Sequence, residues 1–277
     1  VSAGLLDTMA PKKPASRSKF GPIDFMATHH YYFWSPLEKT VILPMAAFGL
    51  SYGAFIGIIW PLLAMTFVYT LSYLIFFVKD TDIKLKRGED EIKISRITRY
   101  VFPYILGLTA VISGVNFLFA FGSLTIYYMI VTRTFDIKKL LRYVDWTIVA
   151  WVAGIIFLSN IVREHTNEIT TFLGTTGLDI TTTFGFMAIS GLSFIGAFAL
   201  GSSSRFGAIT VLLASIYGIE YLPWFFAVDF AGYVLSPMHK CVAIGKMYFG
   251  TKLSTYVKIL SGWAVLLIAT SGVLLWI

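Results

Sequence analysis

An aspartate stands in the middle of an apolar run, Phe225-Phe226-Ala227-Val228-Asp229-Phe230-Ala231. An ionisable group at such depth costs roughly 2.5 to 3.5 kcal/mol on insertion scales, which makes Asp229 a functional candidate by default, as a cation ligand or proton carrier. A structural ion pair, with Arg205 as partner, is the plainer alternative. Further along the same run, Ser236-Pro237 interrupts it. Proline removes a backbone donor and disturbs the carbonyl one turn earlier, near Tyr233. Carbonyls freed there can coordinate a cation, and a kink without any ligand is the competing reading. His239 and Lys240 follow. A histidine here, with an imidazole whose ordinary titration range is near neutral pH, would tune such a site, or the His239-Lys240 pair snorkels to an interface. His239 and Cys241 are two ligands without a second pair, which does not make a metal site.

A second interruption precedes the first, at Gly201-Ser202-Ser203-Ser204-Arg205-Phe206-Gly207. As the tip of a re-entrant hairpin, Ser202, Ser203 and Ser204 would present hydroxyls and backbone amides. A helix beginning near Arg205 would favour an anion at its N-terminus. The competing reading is an ordinary polar loop between two full spans. Asn160, near the outer end of its own span, serves the same cavity or bonds to a neighbouring helix. His29 and His30 read as surface residues. The chain contains no His-Glu-x-x-His, no Gly-x-Ser-x-Gly and no phosphate-loop glycine pattern, so an enzyme is not expected.

The elements that must hold these residues follow from composition. Of 277 residues, 57% are hydrophobic and 13% charged, against about 25% charged in a soluble domain. Mean hydropathy is +0.75. Apolar runs of about 18 to 25 residues match a hydrocarbon core roughly 30 Å thick, and their unbroken character excludes barrel strands. The expected fold class is an all-α polytopic membrane protein. The net charge of +7 is spread between the apolar runs, the positive-inside pattern, and no compact basic face suggests nucleic acid. Cys241 is the single cysteine, so an intramolecular disulfide is impossible.

Residues 1–40 read as a polar basic leader with the interfacial aromatics Tyr31, Tyr32, Phe33 and Trp34. Val41 to Val78 carries no charge and would be about 57 Å long as one helix, so it must fold into two. The turn is expected in the Gly53 to Gly57 region or at Trp60-Pro61. Lys79 to Arg99 is a charged loop. Tyr100 to Thr132 is again too long for one crossing and should turn near Ser113, Gly114 and Asn116. With both runs as hairpins, the basic segments, including Arg133 to Arg142, share one side, the cytoplasm. Trp146 to Val162 then crosses outward to a polar cap at Arg163 to Glu168, and Thr251 to Ile277 is the final span. The expected organisation is a scaffold over 41–144, transport-type elements over 145–250 and a final span over 251–277. The N-terminus would be cytoplasmic and the C-terminus outside.

Four stretches resemble an uncharacterised family of prokaryotic integral membrane proteins in the ion transporter superfamily, which also holds gluconate permeases and dicarboxylate carriers. They are Ala150 to Glu164 (AWVAGIIFLSNIVRE), Gly201 to Ala208 (GSSSRFGA), Gly232 to Phe249 (GYVLSPMHKCVAIGKMYF) and, more weakly, His30 to Pro44 (HYYFWSPLEKTVILP). The resemblance covers about residues 25 to 270. Family members are about half as long again and contain two inverted repeats, so it implies that this chain holds the second repeat and the linker before it, with the first hairpin and first broken helix absent. It implies a secondary transporter, or half of one, in a prokaryotic cytoplasmic membrane. The cargo would be a small carboxylate-like anion coupled to sodium ions or protons, with no other cofactor. Ser202, Ser203, Ser204, Arg205 and Asn160 would bind substrate, and Asp229, Ser236, Pro237 and His239 would serve the coupling ion. The lipid bilayer aside, the expected partner is a second copy or a chain supplying the first repeat. The rival expectation is a non-transporting membrane subunit that keeps the fold.

Overall fold

The computed structural model describes residues 6, 14–78, 98, 101–133, 136, 138, 141–142, 144, 146–201 and 203–275. Among them the fold is all-α. Three helices are long and apolar enough to cross a membrane: Tyr52–Val78, Thr183–Leu200 and Leu253–Leu274. Most of the basic segments 79–99 and 133–142 lie outside the described residues, so the side on which they sit rests on the sequence.

After a four-residue helical turn at Pro14–Arg17 come two short helices, α1 (Phe20–His29) and α2 (Lys39–Phe48), joined through a 3-10 turn at His30–Phe33. They correct the reading of residues 1–40 as a polar basic leader with interfacial aromatics: from Phe20 onward the segment instead packs into the core, where Phe20, Phe25, Met26 and Phe33 are all buried. The apolar run in α1 is interrupted by Gly21, Pro22 and Asp24, too short and mixed for a length criterion tuned to full spans. The turn expected at Gly53–Gly57 or Pro61 lies instead at Gly49, which takes φ 64° and donates its N–H to Met45. Ser51 then caps the next helix by accepting the N–H of Ala54 at 3.2 Å. A left-handed glycine followed by a serine cap is a complete stop-and-start signal. Pro61 lies inside α3 (Tyr52–Tyr73), which continues as a π turn to Val78.

Helices α4 (Phe102–Ile112) and α5 (Phe117–Thr132) form the second hairpin where it was expected, turning at Gly114 with φ 92°. After α6 (Trp146–Glu164), the polar cap is itself helical as α7 (Thr166–Thr175). The long helix α8 (Thr183–Leu200) starts at Thr182, whose hydroxyl accepts the N–H of Gly185 at 3.0 Å. Asp179 just before it accepts the Thr181 N–H at 2.8 Å, which holds its carboxyl below the ordinary range.

The last four elements are α9 (Ser203–Tyr217), α10 (Leu222–Leu235), α11 (Lys240–Phe249) and α12 (Leu253–Leu274). Helix α10 is apolar on every side and is enclosed, as such a helix must be; Phe225 to Val234 are all buried. It packs against α8, α9 and α12. Its approach to α8 depends on Gly232, where a Cβ would run into the Phe194 carbonyl and stand 3.0 Å from the Ala197 Cβ. Gly232→Val should therefore destabilise the fold by about 2–3 kcal/mol through overpacking. Gly191→Val, on α8 in open space, should leave it nearly unchanged. Thermal unfolding midpoints of the two variants in the same detergent check this.

Candidate functional site

Two broken helices cross in the core. The first runs from α1 through Trp34-Ser35-Pro36 into α2, and the second from α10 through Ser236-Pro237 into α11. They are copies of one another. Pro22, Phe25, Tyr32, Ser35, Pro36, Lys39, Val41, Phe48 and Gly49 recur at a separation of 201 residues as Pro223, Phe226, Tyr233, Ser236, Pro237, Lys240, Val242, Phe249 and Gly250. The geometry repeats as well. Both α2 and α11 have 10 residues, both end in a left-handed glycine, and the helices that follow, α3 and α12, both have 22 residues.

The copies run antiparallel. Ring contacts pair Phe25 with His239, His29 with Tyr233, Tyr32 with Phe230 and Phe33 with Phe226, so one number rises as the other falls. Likewise, Tyr69 on α3 donates to the Ile259 carbonyl on α12 and Trp263 donates to Thr66. Tyr32 and Tyr233 are equivalent residues, and their buried hydroxyls share a hydrogen bond of 2.8 Å. Equivalent positions touch each other only on the axis that relates them. That axis passes between the two tyrosines, across the helices. The expectation that the first broken helix is absent is thereby corrected, since residues 20–48 form it.

Both second halves, α2 and α11, begin at a break and point their N-terminal amides toward it, where the helix dipole is positive. Their far ends are held alike. Arg163 donates to the Ala47 carbonyl at 2.6 Å and Arg17 to the Tyr248 carbonyl at 3.0 Å, and those carbonyls are again 201 residues apart. Losing such a charge-assisted cap costs about 1–2 kcal/mol. Arg163→Ala should lower the unfolding midpoint accordingly, whereas Arg163→Lys should recover part of the loss.

The two interruptions singled out in the sequence are neighbours in space. Gly201 ends α8 at φ 54°, so close to the second break that a Cβ would stand 2.8 Å from the Ser236 Oγ and 3.0 Å from the Met238 Cβ. Ser202 lies outside the described residues. So do the side chains of Ser203, Ser204 and Arg205, whose backbone forms the first turn of α9. Asp229 is fully buried on α10. Its carboxylate accepts hydrogen bonds from Ser193 on α8 and, at 2.7 Å, from Thr210 on α9. One side chain thus ties both arms of the α8–α9 hairpin to the broken helix.

Other expected residues fall differently. Ser236 is buried and accepts the Met238 N–H at 3.2 Å, whereas Pro237 is exposed. The Tyr233 carbonyl is engaged, accepting the Ser236 N–H at 3.3 Å; the chain turns early enough to use it. Asn160 is exposed on α6. Its neighbour Ser159 faces inward and bonds Ser215 at 2.6 Å, twelve residues along α9 from Ser203 and so about 18 Å from the hairpin tip. Asn160 therefore has no place at the break. His29, expected on the surface, is 2% exposed. Its Nε2 lies 3.2 Å from Nε2 of His239, which is also buried. With the Cys241 sulfur, their ligand atoms fall within 4.8 Å of one another. Ser193, Thr210, His29 and the tyrosine pair were missed in the sequence, and of these only the tyrosine pair was accessible through the 201-residue repeat. No family model matches the chain, and neither a curated protein nor a solved structure does.

Proposed function

We propose that the chain is a secondary active transporter, or part of one, that moves a small carboxylate-like anion coupled to sodium ions or protons. The observation that carries this reading is the meeting of the Gly201 hairpin tip with the break at Ser236, beside a second break related to it by an antiparallel repeat. Broken helices at an inverted-repeat interface are how secondary transporters build midplane sites. The anion would lie among the hairpin-tip hydroxyls, Arg205 and the amino ends of the half-helices. Asp229 would serve the coupling ion, joined to the substrate region through Ser193 and Thr210.

The contacts agree with the charge-based orientation. With the loop after α3 in the cytoplasm, antiparallel α12 runs outward and carries the C-terminus to the outside. Arg163 and the Gly49 turn, both placed outside by loop charge, are in contact through Ala47. Arg17 and Tyr248, both placed inside, are in contact as well. The test is a thermal-shift panel of small mono- and dicarboxylates, with phosphate and sulfate, on the purified full chain in the presence and absence of sodium. Saturable protection by one anion, lost in Arg205→Ala, is the expected result. No protection by any of them, with stable co-purification of another protein at fixed stoichiometry, would favour a membrane subunit instead.

A further inference from the structure

Beyond Asp229, the core contains a buried imidazole pair whose protons are fully assigned by its neighbours. The Phe25 carbonyl can only accept, and it lies 2.6 Å from His29 Nδ1, so His29 carries its proton on Nδ1 and its Nε2 is bare. The backbone N–H of Cys241 can only donate, and it caps α11 by bonding His239 Nδ1 at 3.1 Å. His239 must therefore carry its proton on Nε2, and it donates across 3.2 Å to His29 Nε2. This bond joins the two broken helices within reach of the tyrosine pair that marks their axis.

We propose that His29 and His239 form a single-proton latch, in which uptake of one proton releases the first broken helix from the second; this rests on the transporter reading and makes the proton its coupling ion. A third proton has two places to go. On His29 Nε2 it sets two N–H groups face to face and breaks the bond between the repeats. On His239 Nδ1 it opposes the Cys241 N–H and removes the cap of α11. Either event loosens the break, and the neutral pair restores it when the proton leaves on the other side. The groups around the pair are His30, Tyr31, Tyr32, Asp24 and Glu38 from the first segment, Tyr233, Lys240 and Cys241 from the second, and Tyr256 from α12. A metal ion is the competing occupant of His29, His239 and Cys241. An ion there would displace the latch proton from His239 Nε2 or the helix cap from its Nδ1, because metal binding requires a bare nitrogen and releases protons, so it would replace the latch rather than coexist with it.

The chain has four histidines, so nitrogen NMR of histidine-labelled full chain in lipid bilayers reads each tautomer. Near neutral pH one histidine should carry its proton on Nδ1 and another on Nε2, with a coupling across the shared bond. Between about pH 8 and pH 3, a window that reaches below the ordinary imidazole range because burial disfavours the cationic form, loss of that coupling should accompany faster amide exchange in 20–33 and 236–249, by on the order of tenfold. In His29→Gln/His239→Asn the asparagine oxygen can keep the cap of α11 and no titrating group remains in the pair, so exchange there should become pH-independent after correction for intrinsic rates. Two cationic or two like tautomers at neutral pH in the wild-type chain would overturn the latch, as would pH-dependent exchange that survives in the double variant. Exchange that responds to zinc or a chelator and not to pH would overturn it in favour of a metal site. These readouts need no substrate, so a working latch in a chain that moves no anion would count against the transporter reading alone.

Discussion

Asp229→Asn is expected to yield a folded chain that no longer couples uptake to an ion gradient. The amide has the shape of the carboxylate, and the hydroxyls of Ser193 and Thr210 can each accept or donate, so the junction of α8, α9 and α10 survives. What disappears is the group that can ligate a cation or take up and release a proton. Loss of the coupling-ion contact should lower ion-driven uptake by about a hundredfold, equivalent to about 3 kcal/mol. The unfolding midpoint should move little. Asp229→Leu should behave differently, because it leaves two buried hydroxyls without their acceptor and destabilises the hairpin junction by about 1–3 kcal/mol. Uptake with and without the gradient, measured beside the unfolding midpoint, separates the two effects. Unchanged coupled uptake in Asp229→Asn would remove Asp229 from the coupling site.

Gly201→Ala is expected to slow transport at least tenfold through geometry rather than charge. Two effects are combined at this glycine. Its φ of 54° is strained for any side chain, and the added Cβ meets Ser236 and Met238. Gly49 separates them, since it has φ 64° and nothing within 4 Å of a Cβ. Gly49→Ala should cost only the backbone strain, about 1 kcal/mol of stability, and leave transport largely intact. Gly201→Ala should carry that strain and also keep the hairpin tip from seating on the break. A contact penalty of about 2 kcal/mol lowers uptake at least tenfold relative to Gly49→Ala. Equal uptake by the two variants would mean that the tip and the break do not work together.

Much of the fold is legible in the sequence because apolar length and loop composition act locally. The all-α class, the Gly114 hairpin and the breaks at Gly201 and Ser236 follow from them. The turn at Gly49 does not, because Gly53, Gly57 and Pro61 look like stronger breakers until each is placed within a helix that neighbours sustain. The first broken helix escapes a window scan because α1 and α2 are half-spans of 10 residues each. It becomes visible only when Tyr32-x-x-Ser35-Pro36-x-x-Lys39 is laid beside Tyr233-x-x-Ser236-Pro237-x-x-Lys240. Asp229 stands out in sequence as a lone charge in an apolar run, but its partners do not. Residues 177 to 218 are studded with hydroxyls, and which of them face α10 depends on helix rotation, a property of packing. The same limit explains Asn160: one residue of rotation on α6 turns Ser159 inward and Asn160 outward.

The measurement that bears most directly on transport is uptake of labelled small carboxylates into proteoliposomes carrying the full chain, under imposed sodium or proton gradients. The account predicts uptake above protein-free vesicles for at least one carboxylate, abolished when the driving gradient is dissipated and reduced in Asp229→Asn. A correctly inserted, monodisperse chain that shows no gradient-dependent uptake of any anion in the panel would contradict it.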